Sequence, residues 1–129
     1  MRFLLLVSLT MSFSLISFGQ KKTCHSLHVG VFKAISNKSD TTIITRTKSS
    51  QIEENSQLGY KLAYNITWTN DCTYVLKLKQ VIKGDPSWIS DSKYVLKVII
   101  KKINGNTYVT ENSSTFSNEV SEHEIVIVK

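Results

Sequence analysis

The chain has 129 residues, with sixteen Lys or Arg against ten Asp or Glu and a formal charge of +6. That length is one domain's: it buries roughly 65% of its unfolded surface, which excludes a second hydrophobic core. The charge favours solubility and weak attraction to anionic surfaces, and beyond Phe18 no segment is apolar enough to span a bilayer.

Residues 1–19 read as a secretory signal peptide. Arg2 is a minimal basic start, Phe3 to Phe18 is an apolar run diluted by serines, and Ser17 and Gly19 are small residues before a cut at Gln20. A membrane anchor is the rival; the run is short for one, and Lys21-Lys22 gives no orientation bias. Residues 20–129 then form a single exported domain, secreted or periplasmic and not membrane-spanning after cleavage. Two cysteines in such a domain point to one disulfide, Cys24 to Cys72, with two buried free thiols as the alternative. Closing that loop implies an entropic stabilisation of about 4 kcal/mol.

Short β-patterned runs follow one another in chain order. Leu27 to Ile35 reads as a first strand, closed by the polar loop Ser36 to Asp40. Thr41 to Lys48 is dense in β-branched residues and reads as a second, and Ser49 to Glu54 as a third, ended by Asn55 to Gly59. From Tyr60 the alternation is regular: Tyr60, Leu62, Tyr64, Ile66 and Trp68 fall on one face, with Lys61, Ala63, Asn65 and Thr67 on the other. Asn70-Asp71 supplies two residues that tolerate φ > 0, and Tyr74, Leu76 and Leu78 resume the pattern on a return strand.

Lys83-Gly84-Asp85-Pro86 is a break, where Asp85 caps a short helical or 3₁₀ turn running through Trp88 and Ile89. Lys93 to Ile103 is a sixth strand with Tyr94, Leu96, Val98 and Ile100 on one face. Asn104-Gly105 is a hairpin signal leading into Asn106 to Glu111, followed by a polar loop from Asn112 to Asn118 and a closing strand from Glu119 to Lys129. No apolar period of 3.6 residues persists beyond two turns. The expected fold is all-β, an antiparallel up-and-down meander of seven or eight strands curled into a barrel or half-barrel, with a β-sandwich as the alternative.

Reaction chemistry is hard to find. The histidines are His25, His28 and His123; Cys24, His25 and His28 could start a zinc site, but an oxidised Cys24 leaves the set incomplete. No serine occupies a Gly-x-Ser-x-Gly elbow, and Glu53-Glu54 point opposite ways on a strand. No catalytic residue, metal or cofactor is therefore expected. Lys77, Lys79, Lys93, Lys97, Lys101 and Lys102 could form a polyanion-binding face, but export and the near absence of arginine favour plain solvation of an outer wall. With Arg46 the one arginine past Arg2, nucleic acid is not an expected partner. Arg46, Gln51 and Glu53 form a polar set with two readings: a structural Arg46–Glu53 ion pair inside a barrel mouth, or the lining of a ligand pocket beside Trp68.

Gly30-Val31-Phe32, Ile44-Thr45-Arg46, Gln51-Ile52-Glu53 and the run Trp68 to Leu76, with its Trp-x-x-Asp-Cys-x-Tyr core, resemble a group of short bacterial secreted proteins with a lipocalin-like meander. The likeness runs from about Cys24 to Leu78. It implies a lipocalin-like half-barrel and the Cys24–Cys72 bridge, and no particular activity. The chain departs from true lipocalins in carrying Phe32 where Trp is usual and in being shorter. The expectation is a non-enzymatic exported domain that binds a small hydrophobic or amphipathic ligand at the cell envelope, the alternative being an interaction module using the lysine-rich face.

Overall fold

A computed structural model describes residues 21–37, 40–87, 95–115 and 117–129. Residues 1–19, read from the sequence as a signal peptide, Trp88 and Ile89 of the expected short turn, and Lys93 and Tyr94 of the expected sixth strand lie outside them. Eight antiparallel strands follow a 3₁₀ turn, His25–Leu27: β1 (Gly30–Asn37), β2 (Asp40–Arg46), β3 (Ser50–Asn55), β4 (Tyr60–Asn70), β5 (Thr73–Lys83), β6 (Val95–Asn104), β7 (Thr107–Ser114) and β8 (Ser117–Ile127). Each pairs with the next, and β1 pairs with β8, so the sheet is a closed up-and-down barrel and not a sandwich or half-barrel. The seam is short: Phe32, Lys33 and Ala34 face Ile127, Val126 and Ile125, extended by the Val31 amide donating to the Lys129 carbonyl at 2.7 Å.

The alternation read from Tyr60 to Trp68 places those side chains inward. The buried core comprises Leu27, Phe32, Ile44, Ile66, Tyr74, Leu76, Val98, Ile100, Tyr108 and Ile125, drawn from the 3₁₀ turn and from every strand except β3. β3 contributes buried polar residues, Gln51 and Asn55. One end of the barrel is closed by the 3₁₀ turn, whose Leu27 is only 2% exposed.

Several boundaries differ from the pattern of the sequence. Leu27 to Val29 is not strand: the first three residues of the expected strand belong to the 3₁₀ turn and its exit. The switch into β1 is made by Gly30, at φ 149°, where a Cβ would lie 2.7 Å from the Lys129 carbonyl oxygen. Only glycine tolerates both that backbone angle and that approach.

The β4–β5 loop is Asp71-Cys72, one residue later than Asn70-Asp71, and no residue other than glycine has positive φ among the described residues. Asn70 instead accepts the Cys72 amide on its Oδ1 at 2.9 Å, an Asx turn that lets an ordinary backbone reverse. A register shift between Trp68 and Asn70 immediately precedes this turn. The next hairpin also slips by one: Asn104 pairs with Thr107 and the loop is Gly105-Asn106, with φ 63° at Gly105 alone. The polar stretch read as a loop from Asn112 is largely strand, because β7 runs to Ser114 and β8 starts at Ser117. Asp85 does cap a turn, accepting the Ser87 amide at 2.9 Å, which holds its carboxyl below the usual range.

Cys24 and Cys72 form the disulfide, with Cα atoms 5.0 Å apart. It ties the segment before the 3₁₀ turn to the β4–β5 loop, on the outside of the closed end.

Candidate functional site

β2 ends on Arg46, whose side chain points inward on the face set by Thr42 and Ile44 and is 1% exposed. A lone guanidinium in a core is tolerable only if its donors are used. Here Nε donates to Gln51 Oε1 at 2.9 Å, Nη1 to the Leu27 carbonyl at 2.7 Å, and Nη2 to the Tyr74 and Tyr108 hydroxyls at 3.1 and 3.5 Å. Its plane lies 4.6 Å from the Phe32 ring centroid, 4.8 Å from that of Tyr74 and 5.8 Å from that of Trp68, so three aromatic faces share the charge.

Gln51 is the link outward. It receives from Arg46 and donates Nε2 to Glu53 Oε1 at 2.9 Å, so Arg46 and Glu53 are coupled through an amide and not in direct contact. Gln51 and Glu53 alternate along β3 toward the barrel interior. Burial raises the Glu53 carboxyl above its ordinary 4.5; the Gln51 hydrogen bond and the Arg46 charge oppose that without overcoming it. Burial also keeps the Tyr74 and Tyr108 hydroxyls protonated well past the usual range, against the pull of Arg46.

Above this floor lies a cavity of about 210 Å³ to which every strand contributes. Leu76, Leu96 and Val98 give it an apolar wall from β5 and β6. Gln51, Glu53 and Tyr60 form a polar wall from β3 and β4, with Thr110 and Asn112 of β7 and His123 of β8 beyond. The buried Asn112 Oδ1 has no hydrogen-bond partner among the described residues. Past Asn112 and His123 the cavity adjoins a recess of about 270 Å³ that also involves Ser113, Ser117 and Ser121.

The four residues singled out from the sequence therefore separate. Gln51 and Glu53 line the cavity; Arg46 and Trp68 do not, and belong to the floor. Trp68 stacks on His28, centroids 3.5 Å apart, and its buried Nε1 has no hydrogen-bond partner among the described residues. The lysines Lys77, Lys79, Lys97, Lys101 and Lys102 are exposed on the outer wall, with Lys101 3.7 Å from Glu111.

Sequence reading missed two features. Asn55 is 1% exposed and donates to Asp40 and Thr42 at 3.1 and 3.2 Å, while its Oδ1 receives the Leu58 amide at 3.0 Å. Thr42 also meets the Tyr60 hydroxyl at 3.2 Å, so this cluster braces the β3–β4 turn at the far end of the cavity. Ser121 Oγ and His123 Nε2 are 3.1 Å apart, the atoms of a nucleophile and base. Both are exposed, and no carboxylate contacts the His123 ring among the described residues, so the orienting third group is missing.

No protein-family model, curated protein or solved structure matches the chain. What fold and site define is a closed eight-stranded up-and-down barrel with a polar floor, an interior cavity and one disulfide.

Arg46→Met leaves Gln51, two tyrosine hydroxyls and a backbone carbonyl without their donor. It should destabilise the protein by about 3–5 kcal/mol in urea unfolding, and Arg46→Lys should recover little, since one ammonium cannot span the same acceptors. A loss under about 1 kcal/mol for Arg46→Met would contradict the role of the floor.

Glu53 gives a pH signature. Its native carboxyl holds a proton at higher pH than the unfolded chain's, so in that window the native state binds more protons. Stability therefore falls as pH rises from 4.5 to the native value and levels off above it. In Glu53→Gln this component is gone. The wild-type-minus-variant difference in unfolding free energy should slope downward as pH rises above about 4.5 and then level off; a difference flat throughout contradicts the assignment.

Proposed function

We propose that the protein is an exported, lipocalin-like, non-enzymatic barrel that binds one small amphipathic molecule inside its cavity. The observation that carries this reading is the pairing, in one interior space, of an apolar wall with inward polar groups, among them a desolvated Glu53 and the unpartnered Asn112 Oδ1. A cavity serving only the fold is better filled by side chains, and buried acceptors are normally satisfied. The volume, about 210 Å³, favours a ligand smaller than a typical drug-sized molecule. Its apolar part would lie against Leu76, Leu96 and Val98, and its polar end would meet Gln51, Glu53 or Asn112. Export is supported by the Arg2 to Gly19 pattern and by the disulfide, which oxidising compartments permit.

Isothermal titration with straight-chain primary alcohols of increasing length tests the cavity. Each added methylene should strengthen binding by about 0.8 kcal/mol until the space is filled, after which the gain stops. Ala34→Phe, which places a ring in the cavity wall, should shorten the chain length at which it stops. Binding that is absent across the series, or indifferent to chain length, would overturn the reading.

A further inference from the structure

The outer side of the closed end gathers a second set of chemical groups, away from the cavity. His25 and His28 stand three residues apart across the 3₁₀ turn, and three residues per turn place them on one side. The Cys24–Cys72 bridge draws the β4–β5 loop against that side and brings Asp71 with it. His25 Nδ1 is 3.8 Å from Asp71 Oδ1, and the two imidazole rings are 4.8 Å apart. One ligand atom from each of His25, His28 and Asp71 lies within 4.8 Å of the other two.

We propose that His25, His28 and Asp71 bind a divalent transition-metal ion of the Zn²⁺ or Cu²⁺ class. Two imidazoles and a carboxylate are the donors such ions prefer, and three protein ligands leave positions open for water. His28 is already held as a ligand is held. Its Nε2 lies 2.9 Å from the Asp71 carbonyl oxygen, which can only accept, so Nε2 carries the proton and Nδ1 keeps its lone pair. The flat stack on Trp68, 17° from parallel, fixes the ring from its other face. Donor atoms around a four-coordinate ion sit about 3.3 Å apart, the tetrahedral edge for bonds near 2.0 Å. The His25 and Asp71 side chains, each 78% exposed, are free to make that contraction.

The disulfide has a double effect here. It removes Cys24 as a ligand and delivers the carboxylate that replaces it. A bound ion would add a second link between the N-terminal segment and the β4–β5 hairpin.

The test uses disulfide-intact protein without a histidine tag, carrying Trp88→Phe so that Trp68 is the remaining indole. Cu²⁺ added at micromolar concentration should quench Trp68 fluorescence with one-to-one stoichiometry, while Ca²⁺ and Mg²⁺ should leave it unchanged. Zn²⁺ should raise the thermal midpoint of the same protein. His25→Ala, His28→Ala and Asp71→Asn should each weaken the Cu²⁺ titration by about tenfold or more, with circular dichroism confirming the fold. Quenching that survives undiminished in His25→Ala or His28→Ala places the ion elsewhere and overturns the proposal. So does the absence of both quenching and a Zn²⁺ shift at 100-fold excess over protein, an order-of-magnitude ceiling for a built site.

Discussion

The structure depends on the burial of one guanidinium. Arg46 lies where the barrel closes, and its donors reach the 3₁₀ turn through Leu27, β3 through Gln51, β5 through Tyr74 and β7 through Tyr108. An uncompensated cation in a core costs several kcal/mol, so these contacts are obligatory once Arg46 is inside. Those contacts tie the 3₁₀ turn, Gln51 and two tyrosine hydroxyls to one point. The aromatic faces of Phe32, Tyr74 and Trp68 complete the shell.

The cavity follows from that arrangement. With the lower interior occupied by Arg46 and its ring of aromatics, the remaining space is bounded below by Tyr74 and Tyr108 and braced at the other end by Asp40, Thr42 and Asn55. Polar clusters at both ends and an apolar wall between them bound a cavity of limited volume. Glu53 is the hinge of its electrostatics. It is close enough to Arg46 to feel the charge and too desolvated to ionise as an exposed carboxylate would.

Much of this is legible in residues whose pattern is local. The alternation from Tyr60 to Trp68, the turn residues before Thr73 and Thr107, and the export-type cysteines point to strands, hairpins and bridge. Details of turn chemistry slip by one residue, because an Asx turn at Asn70 and a single positive φ at Gly105 serve where two left-handed residues were expected. Contacts made by chain closure are not legible. The β1–β8 seam that makes the sheet a barrel rests on three paired positions. Gly30 looks like an ordinary strand glycine until the Lys129 carbonyl is set against it. Asn55 and Asp40 read as loop residues because polarity at a turn is their usual cause, and their burial shows only in three dimensions. Trp68 fits the alternation, but register carries it past the cavity to the floor, where it meets His28.

The proposed ligand would enter the barrel and rest above a floor that does not move. Amide and side-chain NMR during titration with a straight-chain alcohol reads this residue by residue. Shifts should concentrate at Ala34, Thr42, Glu53, Thr110 and Asn112, with the Arg46 Nε–H resonance nearly unchanged. Shifts confined to the outer lysines Lys77, Lys79, Lys97 and Lys102, or spread evenly over the chain, would contradict it.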